Sequence, residues 1–351
     1  MNFGIVGTGM IADFHARAIG EMEGSRIVAC VDTLPARAEA FAARHGCVGF
    51  SDMEAFLAQP GLEIVNVCTP SGTHLEPALA AAGAGKHLIV EKPLEVSLER
   101  CDAMIEACDR AGVLLSGVFP SRFHEAPRAI KAAAEAGRFG KLTMGNAYVK
   151  WWREQSYYDG GGWKGTRALD GGGALMNQSI HAIDLLLWIM GPVSELCALT
   201  AILGHERIEV EDCAAAALRF KSGALGVVQG STAVWPGFLK RIEVSGLAGS
   251  AIVEEEDLVF WRFREEDARD EALRSSLATR TSTGGGAADP SAIGYHGHRR
   301  QFEDVIAALR GGRPPLVDGR EARRAVELIA AIYRSAETGS PVSPGSVGGR
   351  P

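Results

Sequence analysis

The sequence predicts two domains: an α/β domain built on a doubly wound parallel sheet, then an α+β domain with a mainly antiparallel sheet. Three observations lead there. At 351 residues the chain exceeds the ~250–300 residues at which single hydrophobic cores stop growing. Up to Val118, short apolar runs alternate with amphipathic, helix-signalled stretches, and beyond it shorter, partly alternating runs are separated by glycine turns. A chain 46% hydrophobic and 23% charged has the balance of an ordinary globular protein. The expected divisions are residues 1–120, residues 121–338 with closing helices able to pack back on the first domain, and a flexible tail over 339–351.

Taken in order, Phe3 to Val6, Arg26 to Val31, Glu63 to Cys68, His87 to Val90 and Val113 to Val118 read as strands. Helices lie between them; Pro35 to His45 has proline in its first turn and Gly46 just past its end. Strand, helix, strand at this spacing means right-handed crossovers and parallel pairing. Ala126 to Ala136 then reads as a helix, Leu142 to Val149 as a strand, Trp151 to Gly173 as a glycine- and aromatic-rich loop and Ala174 to Met190 as one strong helix. Asp212 to Phe220, Ala224 to Gln229, Lys240 to Ser245, Ala251 to Glu254 and Leu258 to Phe263 read as antiparallel strands. Arg264 to Pro290, with Gly284 to Gly286, reads as a mobile surface loop, and helices near Arg299 to Leu309 and Gly319 to Glu337 close the chain.

A net charge of −7 gives no attraction to nucleic acid or an anionic membrane, so neither is an expected partner. Seven cysteines without a C-x-x-C pair suggest neither a disulfide framework nor a zinc ribbon and fit reduced thiols in a cytoplasm. Met1-Asn2-Phe3 leads straight into the first strand with no basic leader, and no apolar run approaches membrane-spanning length. A cytoplasmic location is the expectation.

Gly7-Thr8-Gly9-Met10-Ile11-Ala12 follows the first strand and opens a helix, which is the setting in which G-x-G-x-x-A signals a Rossmann dinucleotide site. Gly7 permits the turn, Gly9 lets the main chain approach a pyrophosphate, and Ala12 allows close helix packing, while the helix N-terminus offers amide donors. Asp32 ends the second strand about 20 residues on, where a carboxylate accepts from the adenosine ribose hydroxyl. It would repel a 2'-phosphate, so NAD is favoured over NADP. Arg37 could instead meet such a phosphate, contact adenine, or simply be solvated. Thr69, Pro70 and His74, then Glu91 and Lys92, follow later strands at the carboxyl edge of the sheet, where ligands bind in such folds.

These motifs, with Gly171 to His181 running into Ile183-Asp184-Leu185 and with His298, Phe302 to Val305, Pro315 to Arg320 and Ala330 to Ser335 near the end, make the sequence resemble the Gfo/Idh/MocA family (glucose-fructose oxidoreductase / inositol dehydrogenase). The resemblance covers essentially the whole chain. It implies an N-terminal Rossmann domain, a C-terminal domain with a large open sheet, a sugar or cyclitol held against the nicotinamide between them, and homodimers or homotetramers formed through the sheets. It also implies that Lys92 is the active-site lysine and that Asn177 and His181 are the second-domain catalytic pair. Chemistry supports this: an imidazole titrating near ~6.5 can take a hydroxyl proton, and an ammonium can stabilise the alkoxide. Asn177 and His181 are spaced to share a helix face, opposite Ile180, Ile183 and Leu187. The family commonly has Asp at position 177; an amide takes no proton, which leaves His181 as the favoured base. The Leu175 to His181 stretch is also similar to members that oxidise nucleotide-linked N-acetylglucosaminuronic acid at C3.

Tyr158, Trp163 and Lys164, in the loop before the catalytic helix, are candidate substrate readers, with packing of that loop as the alternative. His296 and His298 lack a third ligand in sequence, so capping or packing is expected and no metal site. The leading function is hydride transfer between NAD and a secondary hydroxyl, favoured at C3, of a pyranose sugar or derivative. An oxidoreductive glycosidase using transient C3 oxidation is one alternative, and a non-catalytic sugar or dinucleotide sensor is another.

Overall fold

The computed structural model describes residues 1–160, 162–277 and 294–347. The chain divides into two units, Met1–Pro120 with Gly294–Arg323, and Ser121–Ile293 with Arg324–Pro351. The continuous 121–338 division expected from the sequence is therefore interrupted, because residues 294–323 belong to the first unit.

In the first unit the strands are β1 (Asn2–Val6), β2 (Arg26–Val31), β3 (Val48–Phe50), β4 (Ile64–Val67), β5 (His87–Val90) and β6 (Leu115–Gly117). They form one parallel sheet in the order β3-β2-β1-β4-β5-β6, the doubly wound order that reverses beside β1. β4 is buried throughout, as a parallel strand covered on both faces must be. Helices α1 (Met10–Gly20), α2 (Pro35–His45), α3 (Met53–Leu57), α4 (Leu75–Gly83) and α5 (Leu98–Ala111) make the crossovers. α2 ends at Gly46 in the left-handed conformation, as its sequence predicts. β3 escaped the sequence reading: three residues with a central glycine carry too little periodicity.

In the second unit α6 (Glu125–Glu135) precedes β7 (Leu142–Lys150), the short α7 (Gln155–Asp159), α8 (Ile180–Met190) and then β8 (Val193–Ala201), β9 (Cys213–Phe220), β10 (Leu225–Ser231), β11 (Arg241–Gly246), β12 (Gly249–Glu254) and β13 (Asp257–Phe263). The seven strands run in the order β13-β12-β11-β7-β10-β9-β8. All pairs are antiparallel except β7 with β10. β9 alternates buried and exposed residues, so one sheet face carries the core while the other presents side chains such as Leu199, 75% exposed.

Three expectations change. The strong helix from Ala174 starts as a π-helical turn over Ala174–Ser179 before α8. Within the proposed Arg264 to Pro290 loop, α9 (Ala268–Leu277) is helical, and Gly284 to Gly286 lie outside the described residues. The 339–351 tail is held in its described part, Val342 and Leu196 exchanging backbone hydrogen bonds of 2.9 Å. Helices α10 (His296–Gly311) and α11 (Gly319–Thr338) complete the chain. No helix among the described residues is long and apolar enough to cross a membrane.

Candidate active site

In the first unit the chain leaves β1 through Gly7, whose φ of 84° suits glycine. A Cβ there would lie 2.9 Å from the Cys68 carbonyl oxygen, whereas one on Gly9 would meet nothing within 4 Å. Gly9 caps α1 without a side-chain hydrogen bond, so no side chain competes for the first-turn amides, of which that of Ala12 donates to the Gly9 carbonyl at 3.1 Å, and the helix start stays open to an anion. Ala12 is fully buried beneath them; Met10 is exposed and Ile11 half-buried at the helix start. The Thr8 N–H and hydroxyl donate to Asp32 Oδ2 at 3.0 and 2.8 Å, and the Leu34 N–H donates to Oδ1 at 3.0 Å. Burial opposes the charge on Asp32, but these donors and the cationic Arg37 outweigh it and hold the carboxyl below its usual range. Thr8 thus positions Asp32, and Arg37 is exposed on α2.

The next two loops are tied together by His74. Its ring is buried, with Nδ1 2.9 Å from the Pro93 carbonyl and Nε2 3.0 Å from that of Thr69. These are main-chain partners, so His74 braces the loops, while Thr69 and Pro70 are half-buried. Glu91 is buried at the end of β5, and its Oε2 accepts the Lys92 N–H at 3.1 Å. Behind it stand His15 of α1, with Nε2 2.9 Å from Glu91 Oε1, and His298 of α10, with Nε2 4.0 Å away. His298 is buried, and the three donors form a compact group that the sequence did not reveal.

In the second unit, Glu211 builds the turn that carries Asn177. Its carboxylate accepts from the Gly173 N–H (3.0 Å), the Leu175 N–H (2.8 Å) and the Tyr333 hydroxyl (3.0 Å). Burial nevertheless pushes the Glu211 carboxyl up. A Cβ on Gly173 would fall 1.8 Å from the Glu211 carbonyl oxygen, so only glycine fits this close approach. One turn beyond His181, Asp184 accepts from Arg122 Nε and a terminal nitrogen at 2.8 and 2.6 Å, both side chains 1% exposed, and Arg122 packs over Trp188. Ile180, Ile183 and Leu187 are buried, and His181 and Asn177 remain partly accessible.

Asn177 is gripped at both ends. Its Nδ2 donates to Asp170 Oδ1 at 2.5 Å and its Oδ1 accepts from Gln178 Nε2 at 2.9 Å. Gln178 also donates to the Tyr157 hydroxyl at 2.8 Å and accepts from Arg153 at 2.9 Å. Lys164 Nζ sits 3.7 Å from the centre of the Tyr157 ring; burial lowers its pKa, with Asp170 opposing that effect. Two corrections follow. A carboxylate does reach this site, because Asp170 supplies beside Asn177 what position 177 lacks. Tyr158 is 6% exposed with its hydroxyl 2.8 Å from Thr232 Oγ1, so it packs the loop and Tyr157 takes the outward place. Trp163 is half-buried. Arg153 and Tyr157 lie in the aromatic stretch before the catalytic helix that the sequence marked as suited to a sugar ring, but the link to Asp170 and Gln178 was missed because nothing in their spacing shows a shared partner.

An open helix N-terminus with an ionised strand-end aspartate fits NAD. A lysine at a strand end in the first unit, and in the second a partly accessible histidine on the helix that follows the paired Asp170 and Asn177, are equipment for alcohol chemistry. Taken unit by unit, these features suit one class: a nicotinamide-dependent oxidoreductase acting on CH–OH groups. Comparison with known proteins agrees. Residues 1–119 match the oxidoreductase family with an NAD-binding Rossmann fold, and residues 128–252 match the GFO/IDH/MocA C-terminal domain. The WlbA dehydrogenase of Bordetella pertussis, solved with NADH and UDP-GlcNAcA, is 36% identical, with 97% of this chain and 96% of that one covered and a TM-score of 0.87. The Chromobacterium violaceum WlbA, solved with the same two molecules, is 34% identical over 98% of this chain and 95% of that one, with a TM-score of 0.88. The myo-inositol 2-dehydrogenase of Thermotoga maritima is 28% identical, covering 96% of each chain. The chain belongs to the Gfo/Idh/MocA family of sugar and polyol dehydrogenases, and its cofactor is NAD.

Proposed function

We propose that the protein oxidises the C3 hydroxyl of an acidic, nucleotide-linked pyranose, with His181 as general base and Lys92 assisting. The observation that carries this reading is the polar chain Asp170–Asn177–Gln178–Tyr157 with Arg153 and Lys164 beside it. It offers directional hydrogen bonds for a polyhydroxylated ring and one half-buried cationic side chain, Lys164, for a carboxylate, with the buried Arg153 holding Gln178 in place. The ligand of the two WlbA relatives, UDP-GlcNAcA, has that chemistry, and the preference for C3 follows the family analogy.

When bound, NAD supplies the acceptor for the carbinol hydrogen and its electron pair. Asp32 and the amides of α1 would hold it through ribose and pyrophosphate. His181 takes the hydroxyl proton, which lets the C–O bond gain double-bond character as the carbinol hydrogen leaves. The Lys92 ammonium stabilises the developing alkoxide. Asn177, fixed by Asp170 and Gln178, orients the substrate without exchanging a proton.

The test supplies NAD with UDP-GlcNAcA, and separately with unlinked sugars and glycosides, recording NADH formation and product mass. Stoichiometric NADH with a product lighter by two hydrogens is expected for the acidic nucleotide sugar. Hydrolysis without net NADH, accompanied by solvent deuterium at C2, would overturn this reading in favour of the oxidoreductive glycosidase. Binding without turnover would favour a sensor.

A further inference from the structure

We propose that His15, acting through Glu91, is a positioning residue for Lys92, and that His298 completes a buried polar triad that keeps the Glu91 carboxylate fixed behind the lysine. The inference rests on the reading of Lys92 as the residue that stabilises the alkoxide. All three residues lie in the first unit, and His15 and His298 lie outside the dinucleotide motif.

Asn66 Nδ2 donates to His15 Nδ1 at 2.9 Å, so the ring hydrogen is on Nε2, which points at Glu91 Oε1 2.9 Å away. The second carboxylate oxygen accepts the Lys92 N–H. Glu91 therefore joins the imidazole on α1 to the main chain of the catalytic lysine. Held across the next peptide by the His74 contact to the Pro93 carbonyl, the Lys92 backbone is fixed on both sides. His15 is fully buried and edge-on to Phe302, with ring centres 5.0 Å apart, so the imidazole has little freedom to turn.

His298 Nδ1 has no hydrogen-bond partner among the described residues, an arrangement that costs stability when buried. An apolar ring would fill the same space more cheaply. What the imidazole adds is a polar edge 4.0 Å from the Glu91 carboxylate. The charged and titratable groups facing Glu91 are His15 from α1, His298 from α10, the adjoining Lys92, and the Cys68 thiol at the end of β4. Burial alone would raise the Glu91 carboxyl, yet the hydrogen bond from His15, with the electrostatic environment that includes His298 and Lys92, brings it down to about 2. The three donor atoms lie within 4.8 Å of one another and could suggest a cation. The His15 Nε2 hydrogen already occupies the line to Glu91, which closes the pair without an ion.

Removing His15 should leave a buried carboxylate without its main donor and let it titrate in the working pH range. The experiment compares full-length wild type with His15→Leu, His15→Gln and His15→Leu/Glu91→Gln, each labelled with 15N-lysine. The Lys92 amide signal is identified by its loss in Lys92→Arg. That signal should stay flat from neutral pH down to mildly acidic pH in wild type and in His15→Gln, which keeps a donor. It should titrate in His15→Leu and be flat again in the double variant. With NAD and UDP-GlcNAcA as the probe, His15→Leu should lower kcat by about 10- to 100-fold and add an acid limb to its pH profile, with NADH affinity unchanged by fluorescence titration. Should His15→Leu not fold, Glu91→Gln alone should lower kcat by a similar factor without a new limb. Unchanged kcat and an unchanged Lys92 titration would overturn the proposal. So would one zinc per chain whose chelation abolishes activity. A fully active Lys92→Met with the Lys92 amide still titrating in His15→Leu would instead show the link to be real and the catalytic reading of Lys92 wrong.

Discussion

Asp32 shows how a single side chain can be prepared before its ligand arrives. Thr8 and Leu34 direct their donors at it and keep it ionised, so the carboxylate is ready to accept from a ribose hydroxyl. Asp32→Ala should weaken NADH binding by about 10-fold or more, the worth of a charged hydrogen bond, while leaving sugar binding little changed. Fluorescence and calorimetric titrations check this, and equal losses for both ligands would count against the ribose role. His181→Ala should lower kcat by about 10²-fold or more with a smaller effect on KM; steady-state NADH formation checks it. At this scale the sequence marked Gly7, Gly9, Asp32, Lys92 and His181 as candidates, each by a local motif. It could not show Asp170, because a carboxylate seven positions before its partner carries no periodic signal, and only the folding of the loop back onto the π-turn brings the two within hydrogen-bond reach.

At the scale of an element, the π-helical turn and α8 depend on a partner distant in sequence. Glu211 caps the turn through two amides while Tyr333 donates to the same carboxylate. Glu211→Gln would turn an amide donor toward one of those N–H groups and should cost about 1–3 kcal/mol, whereas Tyr333→Phe removes one donor and should cost about 1 kcal/mol. Chemical denaturation of the two variants measures the difference, and equal values would argue against the carboxylate as the cap. The sequence predicted a regular helix here because Ala174 to Met190 is apolar and free of proline and glycine. The widening into a π-turn comes from the cap and from Gly173 pressed against the main chain of residue 211, both tertiary effects. β8 was likewise passed over although its buried and exposed residues alternate.

For the molecule as a whole, the buried histidine of α10 predicts how stability varies with acidity. Burial, aided by His15 and opposed by Glu91, brings the His298 imidazole down to about 4. An unfolded chain takes up this proton near ~6.5, so the native state is penalised as pH falls between those values. Up to about 3 kcal/mol should be lost across that window, with stability recovered as pH rises. His298→Gln should flatten this part of the profile in urea unfolding at about pH 4.5 and 7, and an unchanged slope would assign it elsewhere. The Glu91 contribution, with its carboxyl lowered to about 2, is present above its ordinary pKa and disappears only at lower pH. The two-part architecture followed from length and pattern. The return of residues 294–323 to the first unit rests on contacts such as Gln301 to the Gly117 carbonyl, which no local pattern encodes.

The grip of Asp170 on Asn177 also constrains how this chain can change. Introducing the aspartate common in the family would set two carboxylates at a separation of 2.5 Å, where one must keep a proton. Asn177→Asp alone should therefore move an apparent pKa of the kcat profile upward, and adding Asp170→Asn should move it back. The residue at 177 is not an independent choice: with Asp170 in place, an exchange of amide for carboxylate there carries the cost of a shared proton unless position 170 changes with it.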